Sequence, residues 1–234
     1  MSQHRRIQLI DLDKHRRHFH SGWIHDTHNN VVLIGPNKTG FTTLNKTFPR
    51  EYHRSGVLPI HLLDTPTVAV IRDPFQRFCA LVNQFILGRS MTLMNQEGRF
   101  ANAASNDIAK DFGEEIFNLW FPRNDTITDP VNHTLWFIDE VMPQLETWGR
   151  DLHFVSLKRF YTVMGVDLNK PNVHVVDTPE LDRWVRKMTG RTVDKQNHNA
   201  SIYVLEPEQY EVFREPIERH WAKDVKLYKR YIRR

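Results

Sequence analysis

Residues 31–44 constrain the fold more than any other stretch. Val31, Val32, Leu33 and Ile34 form an uninterrupted apolar run, three of them β-branched, which is the make-up of a strand buried on both faces. A turn of Gly35, Pro36, Asn37, Lys38, Thr39 and Gly40 follows, and Phe41, Thr42, Thr43 and Leu44 open a helix. Strand, glycine turn and helix together are how a parallel α/β protein presents backbone N–H groups to a phosphate. The spacing of Gly35 and Gly40 matches a G-x-x-x-x-G-K-[ST] loop, but Phe41 stands where the lysine of that loop would be. The lysine of this turn is Lys38, two residues before Gly40.

A second stretch repeats the pattern. Thr67-Val68-Ala69-Val70-Ile71 is strand-like and runs into Arg72-Asp73-Pro74-Phe75-Gln76-Arg77-Phe78. Asp73 suits an N-cap and Pro74 the first turn of a helix. Taken alone, an Arg-Asp pair is a surface ion pair as readily as a ligand site.

The order Pro-x-Lys-Thr-Gly-x-Thr-Thr at 36–43 resembles the 5′-phosphosulfate loop of sulfotransferases that use 3′-phosphoadenosine 5′-phosphosulfate (PAPS). Arg72 to Ala80 is similar to the R-[DN]-P-x-x-R-x-x-S motif of that family, with Ala80 in the serine position. The resemblance implies an α/β fold: a three-layer P-loop NTPase-like domain with a central parallel sheet flanked by helices. It implies PAPS as co-substrate with no metal, held by Lys38, Thr39, Gly40, Phe41, Thr42, Thr43 and Arg72. It implies Lys38 as a catalytic residue. A guanidinium such as that of Arg72 pairs bidentately with a phosphate. Carbohydrate 2-O-type members often carry Gly-His about twenty residues before the Arg-Asp-Pro as the catalytic base. Here Gly56 is followed by Val57, and the candidates are His53 and His61. An unperturbed imidazole has the pKa for general-base work.

Later segments resemble the family more loosely. Residues 194–201 are similar to its late N-x-S loop, which adds Lys195 and Ser201 to the cofactor contacts. Trp221 through Tyr228 is similar to its Y-x-x-D-x-x-L-Y ending. The acceptor implied is a hydroxyl, on a glycan or small carbohydrate. Two other readings use the same fold: a Mg²⁺-dependent nucleotide or small-molecule kinase, and a non-catalytic nucleotide-binding module. The kinase lacks its lysine after Gly40, and Val57 and Ala80 keep the binding module open.

The remainder bounds the class. At 234 residues the chain has length for a single domain over 31–234, with residues 1–30 an N-terminal extension packed on it. Apolar residues at 40% and charged residues at 26% are globular proportions. No apolar run reaches a membrane span, no signal-like segment follows the basic start, and the single Cys79 excludes a disulfide framework. A cytoplasmic location is expected. The net charge of +4 gathers at the two ends of the chain and suits an anionic nucleotide. No zinc-finger or RNP-like pattern points to nucleic acid, and six histidines before residue 30 show no metal-site spacing.

Periodicity predicts helices over 41–49, 74–88, 134–148, 179–189 and 208–231, and strands at 152–157 and 173–176. Residues 89–113 read as a polar excursion on the acceptor side. His133, Trp136, Phe137 and Trp148 are aromatic candidates for a sugar face.

Overall fold

The computed structural model describes residues 22–36, 38–87, 103–122, 126–149, 153–193 and 205–232. In chain order the strands are β1 (Gly22–Asp26), β2 (Val31–Ile34), β3 (His53–Ser55), β4 (Thr67–Ile71) and β5 (Val173–Asp177). The helices are α1 (Phe41–Thr47), α2 (Pro74–Leu81), α3 (Ala103–Phe112), α4 (Glu114–Trp120), α5 (Pro130–Trp136) and α6 (Met142–Trp148). They continue with α7 (Leu157–Met164), α8 (Leu181–Thr189), α9 (Pro207–Glu211), α10 (Arg214–His220) and α11 (Ala222–Tyr231). The described residues gather into two compact units, with divisions at Asp73/Pro74, Trp148/Gly149 and Ala222/Lys223 and one in the stretch between 193 and 205.

The first unit is α/β and holds one five-stranded sheet in the order β3-β1-β2-β4-β5. The β2–β4 and β4–β5 pairs are parallel, as expected, but β1 pairs antiparallel with both β2 and β3. The sheet is therefore mixed, which corrects the expectation of a parallel one. The cause is local. Asp26 accepts hydrogen bonds from the His28 N–H (3.1 Å), the Asn29 N–H (3.4 Å) and Asn29 Nδ2 (2.8 Å), and Asn30 takes a left-handed φ of 51°. So short a turn can only return the chain antiparallel. Strand β1 thus lies within residues 1–30, the segment read as an N-terminal extension packed on the domain.

Alternation along β2 and β4 feeds two cores. Val32, Ile34, Ala69 and Ile71 pack on one face with Phe160, Tyr161 and Met164 of α7 and with Tyr228 of α11. Val31, Leu33, Val68 and Val70 pack on the other face with Phe41 and Leu44 of α1 and with Leu181 and Val185 of α8. Each Val, Leu, Ile, Phe or Met side chain so taken out of water stabilises by about 1.5–3 kcal/mol. That is why these strands read as continuous apolar runs, with no polar face to alternate.

Among the described residues 153–157, the strand expected at 152–157 is not formed. Phe154 and Val155 are buried in a turn, and the chain enters α7. Ser156 caps the helix through the Arg159 N–H at 3.2 Å, and the fully buried Asp224 accepts from the Leu157 and Lys158 N–H groups at 2.5 and 3.1 Å. The first three N–H groups of α7 are thus satisfied by side chains, one of them 66 and 67 residues from the groups it serves. Gly165 ends the helix in the left-handed region, φ 74°.

The second unit is helical. Arg77 is fully buried, with its guanidinium 4.8 Å over the Trp221 ring. Phe78 meets Phe213 and Trp221 edge to face, and the Tyr210 hydroxyl donates to Asn83. The helices expected over 74–88 and 134–148 both contain one wide turn, at Val82–Ile86 and Phe137–Val141. In the second case Pro143 follows, and it has no N–H to carry the regular ladder onward. The single helix expected over 208–231 is three. Pro216 lies in the first turn of α10, where a missing N–H is tolerated, and the chain breaks just ahead of it at Val212–Phe213. Within 89–113, residues 103–112 form α3; residues 88–102 lie outside the described ones. No helix among the described residues is long and apolar enough to cross a membrane.

Replacing Asp224 by Ala removes the acceptor of the buried Leu157 N–H and the part-buried Lys158 N–H and is expected to lower unfolding free energy by about 2 kcal/mol. Asp224→Asn, which keeps an acceptor, should lose less. Thermal denaturation of both variants checks the order.

Candidate functional site

Lys38 and Arg72 leave adjacent parallel strands at the same edge. Lys38 lies in the turn after β2, and Arg72 directly follows β4. Ligands of α/β sheets bind at this carboxyl edge. The turn is shaped by close packing. A Cβ on Gly35 would lie 2.8 Å from Thr39 Oγ1 and 3.1 Å from Val70 Cβ, so the loop can sit this near β4 only with glycine there. Gly40 has φ 90°, which again favours glycine. Lys38 itself is left-handed at φ 70°, a conformation costing a lysine roughly 1–2 kcal/mol.

The turn is held from several sides. Arg72 donates to the Lys38 carbonyl at 3.1 Å. The buried Thr39 hydroxyl donates to the Pro36 carbonyl at 2.6 Å. Thr178 Oγ1, just past β5, lies 3.2 Å from both the Thr39 and Ile71 carbonyls. Asp177 accepts from the Thr178 N–H at 2.8 Å and from the Tyr228 hydroxyl at 2.6 Å. From the other face of the sheet, Tyr161 donates to the Val70 carbonyl at 2.6 Å. These contacts lock the ends of β2, β4 and β5 around the loop.

Electrostatics single out Lys38. Burial, and then the charge of Arg72, lower its ammonium from 10.5 to about 8. Two cations held together in part-buried surroundings repel, and an oxyanion between them would relieve that repulsion.

The sequence candidates divide. Lys38, Thr39, Gly40, Thr43 and Arg72 come together at the loop. The Thr39 hydroxyl is engaged within the turn, and the Phe41 ring is buried in the core behind it, so neither side chain is offered to a ligand. Thr42 contributes its place in the first turn of α1. His53 lies on β3, paired with Ile24 of β1, and its Nε2 lies 3.0 Å from the Phe48 carbonyl. His61 is exposed on a short turn in the segment leading into the amino end of β4, so the strand separates it from the carboxyl edge. Neither histidine joins the loop. Gly56, at the carboxyl end of β3, accepts from Trp23 Nε1 at 3.1 Å, and Val57 follows it. Lys195 and Ser201 lie outside the described residues. In the second unit, Phe137 is fully buried, Trp148 donates to Asp111 at 2.9 Å, and burial lowers the pKa of His133.

Sequence reading missed Thr178, Asp177, Tyr161 and Tyr228. The signal for the first two was present. Asp177-Thr178-Pro179 closes a third apolar run and opens a helix, as Arg72-Asp73-Pro74 does. Tyr161 and Tyr228 reach the site only through tertiary packing. No protein-family model, curated protein or solved structure matches this chain.

If Lys38 is an anion contact, its free ammonium is mostly discharged above pH 8 and a bound oxyanion draws the proton back. Affinity for inorganic sulfate, which does not titrate in this range, should fall as pH rises from 7 through 9, with net proton uptake on binding. Calorimetry in buffers of different ionisation enthalpy reads both. A flat affinity across that window removes Lys38 from the contact.

Proposed function

We propose that the first unit binds PAPS on a P-loop-like turn and transfers its sulfuryl group to a hydroxyl, most plainly one on a carbohydrate. The observation that carries this reading is the pairing of Lys38 with Arg72 at the carboxyl ends of adjacent parallel strands. The resemblance of residues 36–43 and 72–80 to the sulfotransferase motifs supplies the cofactor. In the proposed reaction an acceptor oxygen attacks sulfur in line, the bond from sulfur to the phosphate oxygen breaks, and adenosine 3′,5′-bisphosphate leaves. The acceptor proton passes to a base. Lys38 offsets the charge growing on the departing phosphate, where preorganised donors are most effective. Arg72 holds the loop through the Lys38 carbonyl, and its charge serves the 3′-phosphate of the same ligand.

One observation favours a second reading, a nucleotide-binding module without catalysis. The carboxyl end of β3, where the resemblance puts a histidine, carries Val57, and the ring of His53 lies against the Phe48 carbonyl.

Thermal stability with adenosine 3′,5′-bisphosphate, set against ADP with Mg²⁺, tests the site. A ligand at a hundred times its Kd stabilises by about 2.7 kcal/mol, or roughly 5–10 °C for a chain of this size. Stabilisation by the bisphosphate alone is expected, and by ADP with Mg²⁺ alone would move the reading to a kinase. Lys38→Gly should abolish the shift without lowering the melting temperature of the free protein, because glycine accepts the left-handed backbone. Sulfuryl transfer from PAPS to a carbohydrate panel separates enzyme from binding module. Lys38→Ala should lose orders of magnitude in turnover while staying folded.

A further inference from the structure

Helices α1 and α8 cover one face of the sheet in the first unit, and their outer side is cationic. Phe41, Leu44 and Phe48 form the core stripe of α1, and Leu181, Val185 and Met188 that of α8. The charge lies on the other side of both. Lys46 is in the last turn of α1, Arg50 in the turn that follows, and Lys187 near the end of α8, all three exposed. Arg191, half-buried, comes two residues after α8.

The partners of these cations set the surface apart. Lys187 Nζ lies 4.6 Å over the Trp184 ring, which in turn stacks on His174 of β5, with centroids 4.9 Å apart and planes at 30°. The Arg191 guanidinium lies 5.4 Å over the Phe48 ring and 5.6 Å over that of Tyr52. It thereby joins the end of α8 to the end of α1, at the two rings that flank Arg50 in sequence. An aromatic face holds a cation in place without neutralising it. Among the described residues none of these four cations makes an ion pair. The neighbouring carboxylates are engaged elsewhere: Glu180 with Arg183 at 3.1 Å, Asp182 with the Val193 N–H at 3.1 Å, and the buried Asp26 within its own turn. Glu51, exposed beside Arg50, sets one negative charge against four positive ones.

We propose that this face binds single-stranded nucleic acid without regard to sequence. The phosphates meet Lys46, Arg50, Lys187 and Arg191, and the bases pack against the aromatic surface of Tyr52, Trp184 and His174. Each nucleotide carries one charge and one flat π-face, so a surface that interleaves cations with rings suits it. A carboxylate-rich peptide would answer the charges and leave the rings unused. An anionic bilayer is met by protruding apolar side chains, and the strongly exposed Ile60 of this unit lies in the segment entering the amino end of β4, not on this face. Binding that ignores sequence requires no zinc-finger or RNP-like pattern, since the phosphates carry it. The surface stands independently of the loop and of the PAPS reading.

Fluorescence anisotropy of a labelled oligothymidylate titrated with the full chain tests it. Four phosphate contacts on a single strand predict that log K falls against log salt with a slope of about −3. Lys187→Gln/Arg191→Gln should weaken binding about tenfold or more at low salt and flatten that slope by about 1.4. Lys46→Gln/Arg50→Gln changes two exposed side chains, should act alike, and stands in if the first pair fails to fold. Lys223→Gln/Lys226→Gln, on α11 at the opposite face of the sheet, should change little. An abasic oligomer of the same length should bind less tightly, and polyglutamate of equal charge should compete poorly. Failure to bind the oligomer, indifference to both face variants, an equal loss in the α11 variant, equal competition by polyglutamate, or tighter binding to phosphatidylserine vesicles than to the oligomer would each overturn the proposal.

Discussion

The parallel pairing of β2 with β4 is the constraint on which the first unit rests. Val32 pairs with Thr67, Leu33 with Val68 and Ile34 with Ala69, and this register decides both the packing and the chemistry. With alternate residues feeding opposite faces, each strand must be apolar throughout, and helices must cover both sides. Because the two strands end at one edge, the residues that follow them become neighbours. Lys38 and Arg72 are far apart in sequence and 3.1 Å apart at the Lys38 carbonyl and Arg72 nitrogen. A slip of one residue would turn every core side chain to the wrong face and would separate that pair.

The supports around the loop are polar and come from far along the chain. Thr178, Asp177 and Tyr161 each pair with a backbone group at the strand ends, and Tyr228 holds Asp177 in place. The same logic extends to the opposite helix pair. Asp224 satisfies the start of α7 and in doing so ties it to the start of α11. One buried carboxylate thereby serves both helix capping and helix alignment.

Where the sequence was legible, the reason was local and strong. The runs at 31–34 and 67–71 are buried on both faces, the run at 173–176 is apolar but for His174, all are bounded by turn residues, and all three are strands. Where it misled, a competing local signal had more weight. His153-Phe154-Val155 reads as strand by composition, yet Ser156 begins a helix three residues before the N–H that it caps. The run from 208 onward reads as one helix until the missing N–H of Pro216 is counted. The hairpin at Asp26 to Asn30 was overlooked because its signal is an Asp side chain folding back on its own turn, without a glycine.

By itself the sequence determined the strands β2, β4 and β5, the glycine turn and the identity of its cations. Those depend on residue type and on neighbours a few positions away. Only the tertiary structure decided that the sheet is mixed, that Arg72 grips the Lys38 carbonyl, and that His61 belongs to the segment entering β4 at the far edge from the loop. It also decided that Asp177, Thr178 and two tyrosines buttress the loop. These depend on which strands lie side by side and at which end each segment emerges. That is a property of strand order and direction, and no local pattern of residues encodes it.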